Sequence, residues 1–286
     1  MRYSSAMQHI DLAPPYRLVF GRHGPCLVNM QDVYVGSAIG NYGEYGEIEL
    51  EFMQKLLRPG RDAVEVGANM GSHTVPLARA LEPSGRRLLA VEPQPVVFQN
   101  MCANVALNRL LNVQAENCAC ADRTGWLNFD RQDYTASGNF GGVSMRAADS
   151  KQAAVQAGVQ RVRSVPLDDL LDASWDVGFL KVDVEGFEQQ VLEGARQTIA
   201  RCQPYIYVEN DRMEKSQALI EWLWSAGYKL WFHMPGLYNP QNFAGNTQNA
   251  YGNVVSVNML AVPLDTQVDI GQPPLADSSY HPLARG

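Results

Sequence analysis

Between residues 63 and 74 the chain reads Ala63-Val64-Glu65-Val66-Gly67-Ala68-Asn69-Met70-Gly71-Ser72-His73-Thr74, and few folds accommodate such a stretch. A short apolar run makes a strand, and two glycines let the backbone turn tightly and come close to a ligand. A polar trio then opens a helix. The first amides of that helix have no partner within it and face whatever sits at the turn. Pro76 is tolerated in a first helical turn, and Ser72 is the expected N-cap of a helix over 72–81. The turn alone specifies a nucleotide-like ligand without saying which.

A strand–turn–helix of this kind needs neighbours, and the sequence supplies them. Strands are expected over 87–91, 112–116, 178–182, 205–208, 229–232 and 254–262, with an extra one over 126–129. Helices are expected over 48–57, 95–107, 186–200 and 215–226. Alternation of this sort makes a doubly wound, Rossmann-like α/β fold: a seven-stranded, mostly parallel sheet with helices on both faces. No helix separates the last two strands, so the final one is expected to run antiparallel. Ahead of this, 17–20, 26–30 and 33–39 read as short strands broken by Gly21, Gly24 and Gly36, a small β extension after a loose lead-in over 1–15. The expected organisation is a lead-in and β layer over 1–46, a main domain over 47–264 and a surface tail over 265–286. Two regions, 130–163 and 234–252, break the rhythm; loops of that length are usually functional.

Charge and cysteines narrow the function. The formal net charge of −7 and the lack of a basic cluster argue against a nucleic-acid partner. No apolar stretch reaches membrane-spanning length and no leader pattern precedes residue 13, so a cytoplasmic protein without a membrane partner is expected. Five scattered cysteines without C-x-x-C read as free thiols.

The order Glu65-x-Gly67-x-Asn69-x-Gly71 departs from the G-x-G-x-x-G of dinucleotide sites. An acid before the first glycine sits badly against a diphosphate but suits an ammonium, while Thr74 and the helix amides suit the matching carboxylate. That is the pattern of S-adenosylmethionine sites. Glu92, with Pro93 after it, ends the second strand where a carboxylate can take both hydroxyls of a ribose. Asn117 and Cys118 fall where an adenine lies, and Ala68, Ser72 and His73 line the turn.

A second stretch, Lys181-Val182-Asp183-Val184-Glu185-Gly186-Phe187-Glu188, stands at the end of the fourth strand. With Val165-Pro166-Leu167-Asp168-Asp169-Leu170 before it and Val191-Leu192-Glu193-Gly194-Ala195 after it, it closely resembles the FkbM family of methyltransferases. The resemblance extends over about residues 16–263. It takes in Tyr42-Gly43-Glu44, Ala90-Val91-Glu92-Pro93, Tyr205-Ile206-Tyr207-Val208-Glu209 and Val257-Asn258-Met259-Leu260-Ala261-Val262-Pro263. It implies a class I, S-adenosylmethionine-dependent O-methyltransferase acting on a small hydroxylated acceptor such as a sugar or polyketide-type metabolite, with Tyr42 and Glu44 near the cofactor.

Asp183 is placed at the topological switch point, beside the expected methyl group. Methyl transfer depends on alignment and on removal of the hydroxyl proton, for which Asp183 or Glu185 is the candidate base and His233 a further one. Glu185 has an alternative role as cap of the following helix. Asp183, Glu209 and Asn210 also make a set of hard oxygen ligands, so a divalent metal is possible but not assigned. Lys181 needs an acid at its tip, with Glu209 or Glu188 as the expected partner. Phe140, Tyr238, Glu209 and Asn210 are expected to face the acceptor, with Tyr42, Tyr45 and Phe243 in an aromatic wall. Asp183-Val184-Glu185-Gly186 is not the [DN]-P-P-[YF] of amino-methylating enzymes. Competing readings are an NAD-linked oxidoreductase and a non-catalytic cofactor-binding member; oligomeric state is open.

Overall fold

A computed structural model describes residues 7–147 and 158–284. Strands β1 (Gln8–Asp11), β2 (Tyr16–Gly21) and β3 (Gly24–Asn29) form an antiparallel sheet, followed by helices α1 (Val35–Tyr42) and α2 (Glu47–Leu56). The alternating part runs β4 (Asp62–Val66), α3 (Thr74–Leu81), β5 (Leu88–Val91), α4 (Pro95–Leu107) and β6 (Val113–Glu116). Next come β7 (Ala119–Cys120), β8 (Gly125–Asp130), β9 (Arg146–Ala147), β10 (Val159–Val165) and α5 (Leu167–Leu170). The chain then returns through β11 (Val177–Val182), α6 (Glu188–Glu193), α7 (Arg196–Cys202), β12 (Tyr205–Glu209), α8 (Met213–Ser225), β13 (Tyr228–His233) and β14 (Asn258–Pro263).

The main sheet is mixed α/β in character, seven-stranded and mostly parallel, in the order β13-β14-β12-β11-β4-β5-β6. Only β14 is antiparallel to its neighbours, as expected from the missing helix before it. Alternation along each strand sends side chains to two faces. On one, Val64, Val66, Leu180 and Val182 pack with Val191, Leu192, Ile199, Leu219 and Leu223 of α6, α7 and α8. On the other, Ala63, Leu88, Phe179 and Tyr207 pack with Leu50 and Met53 of α2 and Leu77 of α3. Each fully buried Leu, Val or Phe contributes about 1.5–3 kcal/mol.

Register brings the polar ends together. Val66 pairs with Val91 on one side and Val182 on the other, so the turn after β4 opens between the ends of β5 and β11. Glu209 at the end of β12 and His233 at the end of β13 both pair with Asn258, the first residue of β14. All these termini lie at one edge of the sheet.

Several local expectations need correcting. Residues 33–39 are not a strand: Asp32 Oδ1 accepts from the amides of Tyr34 and Val35, starting a helix whose Val35, Ala38, Ile39 and Tyr42 recur at helical spacing and are buried. The lead-in holds β1, paired with β2. The helix expected over 186–200 divides into α6 and α7. A Cβ on Gly194 would stand 2.0 Å from Ala121 O, so the backbone passes too close for a regular helix carrying side chains. Asp168 then accepts from the amides of Gln197 and Thr198, restarting it. Ser72 is not the N-cap; α3 begins at Thr74 after His73. The 130–163 region contains β10, antiparallel to β8 and parallel to β7, in a second sheet of order β7-β10-β8-β9. Most of the Ala/Gln-rich piece of that region lies outside the described residues. The described part of the expected surface tail, residues 265–284, packs down: Leu275 N donates to Leu230 O (2.7 Å) and Trp231 Nε1 to Gln272 O (3.0 Å).

Candidate active site

Gly67 adopts φ +87°, which L side chains rarely tolerate, and its amide donates to Val91 O (2.9 Å). The amide of Asp183 donates to Val66 O (3.0 Å). A Cβ on Gly67 would stand 1.8 Å from Asp183 O, so glycine lets the two strand ends meet. Asn69 follows at φ 50°, a conformation its short amide tolerates. Its own amide donates to Glu92 Oε2 (2.9 Å), and that of Gln94 to Glu92 Oε1 (2.9 Å). The buried Glu92 carboxyl is pushed up to about 7 by burial, against the pull of these two amides.

This turn floors a polar cleft of about 470 Å³. Beside it runs a narrower slot walled by Pro93, Cys118, Leu127, Val143, Met145 and Phe187. Gly67, Glu92 and Asp183 border both. Glu92 thus stands where the polar cleft meets the more apolar slot.

Beneath the cleft lies a buried charge network. Lys181, 3% exposed, stands opposite Glu65 in the β4–β11 register. Its Nζ is 3.4 Å from Glu65 Oε1 and 3.2 Å from Asp183 Oδ2. The expected partners Glu209 and Glu188 are thus replaced by Glu65 and Asp183. Glu65 Oε2 accepts from Thr74 Oγ1 (2.6 Å), so the Thr74 hydroxyl serves the network rather than a ligand. Burial raises the Glu65 carboxyl while Lys181 and Thr74 hold it back. His73 is buried and lines the cleft; burial, and then the charges of Lys181 and His23, keep it well below its ordinary range and neutral.

Asp183, Glu185 and Glu209 each bring a carboxylate oxygen within 4.8 Å of the others at the cleft wall. Glu185 sits at φ 55°, a strained conformation for a residue that is neither Gly nor Asn, costing about 1–2 kcal/mol. That backbone turns its carboxylate toward Arg212, whose Nη2 donates to Oε2 at 2.5 Å. Burial and then the neighbouring Asp183 charge push Glu185 up to about 7, and raise Glu209 well above the usual range. Glu185 does not cap the following helix, which has no side-chain cap; Glu188 Oε1 instead accepts from the Gly186 and Val184 amides (2.8 and 3.3 Å), holding the turn ahead of α6.

Of the residues singled out from sequence, Tyr45, Glu65, Gly67, Ala68, Asn69, Ser72, His73, Glu92, Lys181, Asp183, Glu185 and Glu209 line the cleft; Pro93 and Cys118 line the slot. Others stand outside both. His233 stacks on Phe52 (4.1 Å between centroids), and its Nδ1 is 2.7 Å from the Tyr207 hydroxyl. Asn210 follows Glu209 on its strand, so it points to the other side, where its amide donates to Ser216 Oγ (2.9 Å). Asn117 Nδ2 donates to the carbonyls of Glu92 and Pro93 (2.8 and 3.1 Å), holding the strand end rather than a base. Gly71 packs its α-carbon face against Met101, behind the turn. Tyr42, Glu44 and Tyr238 anchor the 234–252 loop. The Tyr42 hydroxyl donates to Gln248 O and accepts from Ala250 N, Glu44 accepts from Asn239 Nδ2 and Phe243 N, and the Tyr238 hydroxyl donates to Asn246 O. Phe140 is buried against Tyr134, and only its neighbours Asn139, Gly141 and Gly142 reach the cleft.

Sequence reasoning missed Glu49, Tyr34, Arg212, Ser256 and Asn258, all in the cleft lining. An acid at an inward helical position of α2 was a readable signal for Glu49; the others depend on loop paths. Burial pushes Glu49 up to about 7, with Lys181 opposing and Asp183 reinforcing. A folded-state value above the ordinary 4.5 means that the native protein binds the extra proton between about pH 4.5 and 7. Glu49 therefore costs stability as pH rises through that window, by an amount of order 3 kcal/mol above it. Glu49→Gln is expected to raise the melting temperature most at pH 8, with the gain shrinking toward pH 4.5. A gain independent of pH in thermal scans would refute this.

A seven-stranded, mostly parallel sheet of this order, with a glycine turn and an acid-walled cleft at its strand ends, defines a mixed α/β protein with its candidate site at the carboxyl ends of the parallel strands. The chain belongs to the FkbM methyltransferase family: the model of the methyltransferase FkbM domain matches residues 65–230. Solved structures similar to it include a methyltransferase FkbM from Methylobacillus flagellatus KT (15% identity, 75% of this chain and 50% of that one, TM-score 0.46). Precorrin-6y C5,15-methyltransferase from Geobacter metallireducens GS-15 is another (15% identity, 74% and 87%, TM-score 0.45). A third is TYW2 from M. jannaschii in complex with AdoMet (14% identity, 88% and 87%, TM-score 0.42). The chain spans about half the length of the FkbM structure, and no curated protein matches it. Among the described residues, no helix is long and apolar enough to cross a membrane.

Proposed function

We propose that the chain is a class I methyltransferase of doubly wound, Rossmann-like form that methylates a hydroxyl of a small polar acceptor, such as a sugar or polyketide-type metabolite, using S-adenosylmethionine. The observation that carries this is Glu92, fixed by two turn amides where the polar cleft meets the apolar slot. Its carboxylate suits the ribose diol of an adenosyl group whose base enters the slot. His73 Nε2 supports the fit from the other side, being buried in the cleft lining with no hydrogen-bond partner. An aminoacyl tail offers such a group polar atoms, whereas Glu65 and Asp183 disfavour a diphosphate.

S-Adenosylmethionine, when bound, supplies an electrophilic methyl group. The chain's own residues position the acceptor and deal with its proton. Asp183 and Glu185 face the cleft from the end of β11, and a carboxyl such as Glu185, pushed up to about 7, is suited to take a hydroxyl proton near neutrality. Loop residues Asn139, Gly141 and Gly142, with Val255, Ser256 and Val257, complete the lining of the cleft. An acid-rich cleft on a chain of net charge −7 disfavours a nucleic-acid acceptor.

Calorimetric titration with S-adenosylhomocysteine and with NAD separates this reading from an oxidoreductase. S-Adenosylhomocysteine is expected to bind and NAD not to. Glu92→Gln, which loses one charge-assisted acceptor, is expected to weaken S-adenosylhomocysteine by roughly 10- to 100-fold. Binding of NAD alone would sink the reading. Mass spectrometry of host extracts incubated with labelled S-adenosylmethionine would identify the acceptor.

A further inference from the structure

We propose that Asp183, Glu185 and Glu209 form a binding site for a hard divalent cation of the Mg²⁺ or Mn²⁺ kind, and that this cation, with Asn258, binds an oxygen of the acceptor. The second half rests on the methyl-transfer reading; the cation site does not.

Charge balance comes first. Seven carboxylates line the cleft against two permanent cations, Lys181 and Arg212. Lys181 is engaged by Glu65 and Asp183, and Arg212 by Glu185 and, at 3.4 Å, Asp211. Glu209 is the member with no cation against it in these pairs.

Orphaned atoms come second. Glu209 Oε2 is shielded from solvent and has no hydrogen-bond partner. A bare carboxylate oxygen in this position needs a donor or a cation, and no donor is hydrogen-bonded to it. Asn258 pairs with Glu209 across the antiparallel register and is 4% exposed, and its Nδ2, close to the Tyr207 hydroxyl, makes no well-formed hydrogen bond. It lines the same cleft, so an anionic site and an idle donor stand side by side. An oxygen that binds the cation and accepts from Asn258 satisfies both.

Geometry comes third. The three carboxylates present oxygens no more than 4.8 Å apart. Metal–oxygen distances of 2.0–2.1 Å in an octahedron put ligand oxygens about 3–4 Å apart, so a small contraction closes the set and leaves positions for water and acceptor. All-oxygen ligation selects Mg²⁺ or Mn²⁺ over softer metals. A hydroxyl coordinated there would lose its proton more readily, to water rather than to Glu185 once that carboxylate is a ligand, which would assist the attack of a poor nucleophile. The backbone strain at Glu185 is what brings the third carboxylate to the group.

The test uses the full chain and Mn²⁺ alone, followed by paramagnetic resonance and by calorimetry. One Mn²⁺ site is expected, with Glu185→Gln and Glu209→Gln each weakening it at least tenfold. Arg212→Met, which frees Glu185, is expected to tighten it severalfold, a gain that misfolding cannot mimic. S-Adenosylhomocysteine titrated into the same samples reports on the cofactor reading separately: its binding without Mn²⁺ binding overturns the cation site alone, and the converse overturns only the cofactor reading. Absence of Mn²⁺ binding at millimolar concentration, binding unmoved in both glutamine variants, or an amine-bearing acceptor filling the cleft without a cation would each overturn the proposal.

Discussion

Gly67→Ala is expected to lower stability by about 2–5 kcal/mol and to abolish binding of S-adenosylhomocysteine. Two costs add. Alanine at φ +87° carries left-handed strain of about 1–2 kcal/mol. Its methyl would also stand 1.8 Å from Asp183 O, and backbone cannot rotate away as a side chain can. Relieving that overlap means parting the ends of β4 and β11 and breaking the Asp183 N to Val66 O bond; overpacking of this kind costs a further 1–3 kcal/mol or so. At about 2–4 °C per kcal/mol, the melting temperature should fall by roughly 10 °C. Gly60→Ala is the control: its φ is +73° but nothing lies within 4 Å of the added carbon, so it should bear the backbone strain alone. If both variants melt together and Gly67→Ala still binds the ligand, the close approach of the strand ends is not what the turn is for.

That approach was legible in the sequence because it is local. Two glycines after an apolar run and an acid define a turn wherever it occurs, and the strands flanking it alternate with helices whose periodicity is plain. What was hidden depends on geometry that periodicity does not carry. The 33–39 run looks like a strand by composition, yet Asp32 caps it into α1. Val159–Val165 interleaves arginines with valines in a region without helical rhythm, so β10 was invisible until β8 supplied its partner. The acid cluster was half-read: Asp183 and Glu209 follow from strand order. Asn210, next to Glu209 in the chain, faces away toward Ser216, and Glu185 joins the cluster through a left-handed φ that only structure shows. Lys181 was recognised as needing an acid, but the acid lay across the parallel register, at Glu65.

Lys181→Met is the second large effect. The ammonium is 3% exposed and holds Glu65, 1% exposed, and Asp183 at 3.4 and 3.2 Å. Methionine fills most of the same volume, so the loss isolates charge from packing. Removing one partner of a buried ion pair strands the other, which typically costs about 3–5 kcal/mol; against a usual total of 5–15 kcal/mol that is severe. The pH dependence has a definite sign. Lys181 is what holds Glu65 down against burial, so its loss lets the Glu65 carboxyl rise further and the native state take up a proton. The penalty should therefore be greatest at alkaline pH and shrink as the pH falls toward the ordinary carboxyl range, where folded and unfolded states are protonated alike. Adding Glu65→Gln removes the stranded charge and should recover part of the loss, giving a coupling of about 1–3 kcal/mol in a double-mutant cycle by urea denaturation. Strict additivity of the two substitutions, or a loss that does not change with pH, would mean that the Lys181 ammonium is not what holds the ends of β4 and β11 together.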